Sequence, residues 1–465
     1  MAILKPGLHI HLVGIGGIGL SAIARVLQGW GYQVSGSDQQ PSALTQALVA
    51  EGITVYAGHR AEHVRGADVI VISSAIPNNN PEVVAGQELG LPVVKREQFL
   101  AELTAGKTTI AVAGTHGKTT TSAMIAWILI QAGLDPTFIV GGVLQNLRTN
   151  ARAGQGPHFV IEADEYDRAF LGLWPNLAVC TTLEHDHPDI YPTFGEMRQA
   201  FVQFAGQVSG DGLLIVCGED TAARELGEHQ AGLGYRVETY GLADGWDWLA
   251  TGAELGDHAT FEVWYHGTRL GTGALQIPGR HNVLNSLAAL AATHELGVEF
   301  GPAAAALTRF QGTERRFEIK GQVGGVTVVD DYAHHPTEIQ ATLDAARAKY
   351  PGRPIWAVFQ PHTYTRTAAM LDDFAAAFGS ADHVLVTRIY AAREHDNLGV
   401  CGRDIVARMQ HSDAQYVASL DDVARSLLES TRPGDVIITL GAGDSYLIGE
   451  RVLRRLQGRR RRRRA

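Results

Sequence analysis

The stretch from Ala111 to Thr121, Ala-Val-Ala-Gly-Thr-His-Gly-Lys-Thr-Thr-Thr, constrains the fold more than any other part of the chain. An apolar, β-branched run from Thr108 to Val112 leads into small residues and then into Gly114-Thr115-His116-Gly117-Lys118-Thr119. Thr121 to Ala132 follows with helix-type apolar spacing and no proline. Strand, glycine loop and helix in that order aim unpaired backbone N–H groups, and the positive end of the helix dipole, at one point. A phosphate fits there, with Lys118 reaching the outer phosphates and the Thr119 hydroxyl placed to ligate Mg²⁺. Val112 stands where the strict phosphate-loop pattern has its first glycine, so the loop is a variant of that pattern. The flanking strand and helix separate it from an ordinary glycine turn with an incidental lysine.

A chain of 465 residues is too long for one ordinary core and predicts two or three domains. A formal net charge of −10 speaks against a nucleic-acid binder. The exception is local: Arg459 to Arg464 form an uninterrupted basic run, read either as a contact for RNA, anionic lipid or a partner, or as a disordered, solvated end. No apolar run approaches the roughly 18 residues of a membrane span, and Met1-Ala2-Ile3-Leu4-Lys5-Pro6 does not read as a signal peptide, so a cytoplasmic location without membrane insertion is expected. Cys180, Cys217 and Cys401 lie far apart, which suits neither a disulfide framework nor a cysteine zinc site. Nothing in the sequence specifies an oligomeric state.

Ahead of the lysine loop, His9 to Val13 reads as a buried strand, followed by Gly14-Ile15-Gly16-Gly17-Ile18-Gly19, a helix from Leu20 to Gln28, and a strand from Gln33 to Gly36 that delivers Asp38. This Gly-x-Gly-x-x-Gly arrangement suits a nucleotide pyrophosphate, with the acidic residue placed to accept from a ribose or a base. Taken alone it suggests an NAD-dependent oxidoreductase, and a UDP-sugar suits it for the same electrostatic reason. Ser73 and Ser74 close a further strand, Asp68 to Ser73, at the sheet edge where ligands of open α/β folds collect.

Past the lysine loop, two apolar strands end in polar groups. Phe159-Val160-Ile161 runs into Glu162-Ala163-Asp164-Glu165-Tyr166-Asp167, and Leu177 to Val179 runs toward Glu184-His185-Asp186-His187-Pro188-Asp189. Carboxylates crowded after a buried strand need a cation or solvent. Carboxylate, hydroxyl and phosphate oxygens are hard ligands, which favours Mg²⁺ over zinc. Strand character grows beyond residue 205. Gly279-Arg280-His281-Asn282-Val283-Leu284-Asn285 then opens a helix on which Asn282 and Asn285 share a face, placed either for a planar ligand such as adenine or for capping. After Gly312-Thr313-Glu314-Arg315-Arg316-Phe317, alternating strands and helices describe another α/β unit. It includes a strand from Val326 to Val329, Asp330-Asp331-Tyr332-Ala333-His334-His335-Pro336-Thr337-Glu338, and a helix from Thr367 to Phe378.

These motifs, in this order, resemble the Mur ligases of peptidoglycan synthesis over essentially the whole chain. The resemblance implies an α/β protein of three domains. Residues 1–105 would be a Rossmann-like domain for the UDP-sugar and 106–312 a central P-loop-type mononucleotide-binding domain for ATP and Mg²⁺. Residues 313–458 would be a Rossmann-like α/β ligase domain that closes over both, with 459–465 as a basic tail. The implied reaction is ATP-dependent amide-bond formation through an acyl phosphate, giving ADP and phosphate. Within the family, the first glycine loop and Asp-Asp-Tyr-Ala-His-His-Pro-Thr-Glu point to the branch that joins L-alanine to UDP-N-acetylmuramate. Glu165-Tyr166-Asp167 and Ala333 also resemble a branch that attaches a recycled tripeptide to the same UDP-sugar.

By the same resemblance, Gly114, Thr115, His116, Gly117, Lys118, Thr119 and Thr120 hold the phosphates of ATP. His281, Asn282 and Asn285 would line the adenine pocket, and Arg316 with Asp331 would clamp phosphate and ribose. Thr119 and Glu162 would hold one Mg²⁺ and His187 a second, with Lys118, His187 and Arg316 serving the chemistry. Gly14, Gly16, Gly17, Gly19, Asp38, Ser73 and Ser74 would bind the UDP-sugar, and Tyr332, His362 and Arg366 the amino acid. Several relatives carry a carbamylated lysine near the second metal; no lysine occurs between His187 and Ile215, so that device is missing here.

Overall fold

The computed structural model describes residues 4–396 and 398–462. Its strands form three sheets, each built around apolar runs that are buried on both faces, as parallel strands flanked by helices require. The first sheet is parallel throughout, with Thr54–Ala57, Gln33–Asp38, His9–Val13, Val69–Ile72 and Val93–Lys95 in spatial order. The order reverses beside His9–Val13, which places the Gly14–Gly19 loop at the switch point of the sheet.

The central sheet has ten strands. Thr108–Ala113 lies between Leu177–Cys180 and His158–Glu162, all parallel, so the lysine loop and the two acidic strand ends emerge on the same edge. Parallel pairing continues outward through Leu213–Cys217 and Arg236–Gly241 to Trp248–Glu254, where antiparallel Ala259–Tyr265 and Thr268–Leu275 extend the sheet. Helix Lys118–Gln131 is buried from Thr119 to Leu129 and packs against helices Arg280–Glu295 and Phe300–Leu307. A helix apolar on all sides belongs in a core, and the Trp127 indole N–H finds its partner there in the Ala306 carbonyl at 2.9 Å.

The third sheet has six strands, Glu318–Val323, Val326–Asp331, Val436–Leu440, Ile355–Phe359, His383–Val386 and Ala414–Tyr416, with only the first pair antiparallel. The expected single helix from Thr367 to Phe378 is two short ones, Tyr364–Ala369 and Leu371–Ala376, because Met370 leaves helical geometry (φ −125°, ψ 29°). The basic run was read in part as a disordered end, yet the last helix, Tyr446–Arg462, continues into it. Residues 463–465 lie outside the described part.

One apolar cluster runs without interruption from Ile10 and Leu27 of the first unit to Trp127 and Phe310 of the central one. The third sheet has its own cores, one on each face.

Candidate active site

A single cavity of ≈ 1630 Å³ lies where the three sheets meet. Gly17, Gly19, Ser73 and Ser74 line it from the first unit, Lys118, Thr119, Glu162 and His187 from the second, and Arg316, Tyr332, His362 and Arg366 from the third.

The lysine loop makes its turn through two left-handed glycines, Gly114 (φ 129°) and Gly117 (φ 84°). A Cβ at Gly114 would stand 2.1 Å from Thr181 Oγ1, and one at Gly117 would stand 2.5 Å from Asn285 Oδ1, so neither position admits a side chain. Lys118 is folded back on the loop. Its ammonium donates to the carbonyls of Gly114 (2.6 Å) and Thr115 (3.1 Å) and to Glu165 Oε1 (2.9 Å). Burial works against the charge, but the carboxylates of Glu165 and Glu162 outweigh it and hold the Lys118 pKa above the ordinary lysine value.

Next to it, Thr119 Oγ1 donates to Glu162 Oε1 at 3.0 Å, and the Gly141 N–H donates to Glu162 Oε2 at 2.7 Å. Burial pushes the Glu162 carboxyl above its usual range despite Lys118. His187 takes a left-handed backbone (φ 54°) that turns its ring inward, with Nε2 at 3.4 Å from Glu165 Oε1 and 3.7 Å from Asp186 Oδ2. Lys118, Thr119, Glu162 and His187 are thus brought together, and Glu165, almost wholly buried and given no role from sequence, joins Lys118 to His187.

Other expected residues are held by partners within the protein in this conformation. Asp38 Oδ2 accepts from the Gly16 N–H at 2.9 Å and its Oδ1 from Gln40, so the carboxylate braces the first glycine loop. Asp331 accepts from the N–H groups of Phe317 and Ala333, both at 2.8 Å, and its pKa is pushed up to about 6 by burial. Asn285 donates to Asn282 Oδ1, and Asn282 to the carbonyl of Pro278 just ahead of the helix, so both amides are engaged at the helix start, as buried polar groups must be. His281, on the same turn, is held neutral by burial at a pKa of about 4. Thr120 is buried behind the loop, and the Gly14 N–H is taken by the Ser37 carbonyl at 2.8 Å.

Several polar joints hold the third unit on the central one, Lys349 with Asp257 among them, and two of them flank the site. In the first, Arg366 donates through Nε (2.9 Å) and Nη2 (2.7 Å) to Asp186 Oδ1, and through Nη1 to the His362 carbonyl (2.9 Å). Both charged side chains are 6% exposed. The guanidinium expected for an amino-acid carboxylate is therefore saturated by a protein carboxylate in this conformation. In the second, His116 lies between two carboxylates, with Nε2 at 3.2 Å from Glu184 Oε2 and Nδ1 at 3.3 Å from Glu338 Oε1. The Thr337 hydroxyl donates to Glu184 Oε2 at 2.7 Å.

Burial disfavours the imidazolium of His116, yet Glu184 and Glu338 raise its pKa to about 9. Because the folded value lies above the unfolded one, the stabilisation is complete below pH of about 6.5 and is lost as pH rises through about 9. Replacing His116 with Gln should therefore flatten the fall in stability between pH 7 and 10 by on the order of 2–3 kcal/mol, read from urea titrations of the full-length protein at each pH. An unchanged slope would mean that the ring is neutral in the folded protein.

The family comparisons agree with this layout. The model described as "Mur ligase family, catalytic domain" matches residues 9–108, "Mur ligase middle domain" residues 112–293, and "Mur ligase, glutamate ligase domain" residues 315–443. The UDP-N-acetylmuramate--L-alanine ligase of Alkaliphilus metalliredigens is 42% identical over 449 residues, 96% of this chain and 97% of that protein. The enzyme of the same name from Sorangium cellulosum is 44% identical over 442 residues, 94% of each chain. Among solved structures, the UDP-N-acetylmuramate-alanine ligase MurC of Thermotoga maritima superposes with a TM-score of 0.82 at 30% identity, covering 97% of this chain and 99% of that one. A murein peptide ligase from Psychrobacter arcticus gives 0.71 at 28% identity, with the same coverage.

Proposed function

The chain belongs to the Mur ligase family, and from that premise we propose that it joins L-alanine to the carboxylate of UDP-N-acetylmuramate, converting ATP to ADP and phosphate, as a cytoplasmic step of peptidoglycan precursor synthesis. The observation that carries the reading is the single cavity, which opens on the first glycine loop, the lysine loop and the Arg316–His362 side of the third sheet together. No helix among the described residues is long and apolar enough to cross a membrane.

A carboxylate is a poor acyl donor at neutral pH. Its oxygen attacks the γ-phosphorus of ATP, ADP leaves, and an acyl phosphate results. The alanine nitrogen, once it has lost a proton, attacks the acyl carbon, and phosphate leaves with its oxygen. In this scheme the loop N–H groups and Lys118 hold the phosphates, and Arg316 faces them from the third unit. Arg316 Nη1 lies 3.3 Å from Glu338 Oε1, and its guanidinium carbon lies 5.3 Å from the Tyr332 ring centroid, which aims it into the cavity. Gly17 and Gly19, with Ser73 and Ser74 opposite, take the UDP-sugar, while Tyr332, His362 and Arg366 frame the amino-acid end. We place the adenine beyond the lysine loop, beside His281, Asn282 and Asn285.

Mg²⁺ fits the donors present. A threonine hydroxyl and a half-buried carboxylate, whose own pKa is raised by burial, meet beside the lysine loop and suit a hard cation. Thr119 and Glu162 would hold one ion and His187 a second; bound Mg²⁺ supplies charge neutralisation at the phosphoryl oxygens.

The test is phosphate release with UDP-N-acetylmuramate and ATP against L-alanine, glycine, L-serine and the murein tripeptide. Release is expected to need both the UDP-sugar and the amino acid, with kcat/KM for L-alanine above glycine by about tenfold or more, the worth of one methyl group in a fitted pocket. Turnover with the tripeptide alone would move the chain to the neighbouring branch.

A further inference from the structure

Away from the phosphates, the first sheet buries a carboxylate that the reaction does not use. Glu82, fully buried in the first turn of helix Pro81–Glu88, collects donors from several separate elements. Ser37 Oγ donates to its Oε2 at 2.5 Å. His63 Nδ1 lies 2.6 Å from Oε1, His59 Nδ1 lies 3.2 Å from Oε2, and the Arg60 N–H donates to Oε1 at 3.3 Å. His11 Nε2, also buried, faces it at 3.8 Å. Burial alone would raise the pKa of Glu82, but His11, Ser37 and His63 bring it down to about 2, so it is a carboxylate at every working pH.

What Glu82 grips matters because of what Ser37 holds. The Ser37 carbonyl accepts from the N–H groups of Gly14 (2.8 Å) and Ile15 (3.0 Å), and the adjoining Asp38 accepts from Gly16. Three consecutive N–H groups of the glycine loop are thus tied to the end of one strand, and Glu82 adds a side-chain anchor there, through the Ser37 hydroxyl, to the ladder pairings of Ser37 with Val13 and Tyr56. The Gly17 N–H goes to the Gly14 carbonyl at 3.1 Å, which leaves those of Ile18 and Gly19 to meet a ligand.

We infer that Glu82 is a positioning residue for the UDP-sugar, acting through Ser37 to hold the first glycine loop in the shape that receives the diphosphate. The inference rests on the proposal that this loop binds the UDP-sugar. Loss of the anchor frees the loop without touching the lysine loop, so the effect falls on one substrate only. Glu82→Gln keeps the shape of the side chain but removes the charge that gathers the donors, and Ser37→Ala cuts the link alone.

Steady-state kinetics and calorimetric titration with UDP-N-acetylmuramate on the full-length enzyme test this. Both variants should raise KM and Kd for the UDP-sugar about tenfold, with kcat and KM for ATP within twofold of the parent. In the double variant the two effects should not add, since both act through one hydrogen bond. A merely structural Glu82 would lower Tm and leave the KM-to-kcat split alone, or its effect would add fully to that of Ser37→Ala; either result overturns the inference. Gly17→Asp, which puts an anion where the diphosphate is placed, separates the two levels. If it fails to weaken UDP-sugar binding, the site assignment falls; if it weakens binding while Glu82→Gln does not, only the positioning role falls.

Discussion

Replacing Lys118 with Ala should lower phosphate release about 10³-fold or more, while UDP-N-acetylmuramate still binds within a few-fold of the parent, as read by calorimetric titration. The size follows from what surrounds the ammonium. Glu162, Asp164, Glu165 and Asp186 all line the same cavity, and Lys118 is the cation placed among the first three of them. Removing it leaves Glu165 without its lysine partner where a triphosphate must come to rest, and the penalty grows as charge shifts onto the leaving oxygen in the transition state. Lys118→Arg should recover little, because the carbonyls of Gly114 and Thr115 are matched to a compact ammonium rather than to a planar fork. Loss of UDP-sugar binding in Lys118→Ala would show that the two substrates are not held by separate units. Turnover within tenfold of the parent would remove the lysine from the mechanism.

The second large effect concerns docking of the third unit. Asp186→Ala leaves the Arg366 guanidinium buried with no carboxylate beside it, and breaking one side of such a pair costs about 3–5 kcal/mol. Because the pair joins two units, the loss should appear as early exchange of backbone amides in Ile355–Phe359 and Val436–Leu440, ahead of those in Thr108–Ala113. Activity should fall with it, since Arg316 and His362 reach the cavity only when the units meet. The double variant Asp186→Leu with Arg366→Met should regain most of the stability and none of the activity. Equal protection of the third sheet in parent and Asp186→Ala would show that the pair does not hold the units together.

Much of this arrangement was legible from residue order. Glycine spacing, apolar runs that end in polar groups, and helix periodicity are local properties. They located the lysine loop, the first glycine loop and the strand ends that flank them. Pairings were not legible. Arg366 and Asp186 stand 180 positions apart, and nothing near either residue says that each is the other's partner, so Arg366 looked free for a substrate. The internal partners of Asp38, Asp331 and the asparagines of helix Arg280–Glu295 were hidden for the same reason: sequence shows a polar side chain but not the backbone N–H or carbonyl already waiting for it. Glu165 and Glu82 could have been singled out only through their settings, one in a crowded acidic run after an apolar strand, the other beside a proline that starts a helix. Neither setting tells a buried hub from a solvated cap.

The continuous core shared by the first two units, set against the separate cores of the third, decides which part of the enzyme can be mobile. No apolar cluster is shared between the third unit and the other two, so opening would release ion pairs and hydrogen bonds, among them the backbone pairing of Gly312 to Glu314 with Val143 to Gln145. Motion of that kind answers to dissolved ions more than to temperature. Product release through such an opening should therefore respond to salt and to pH.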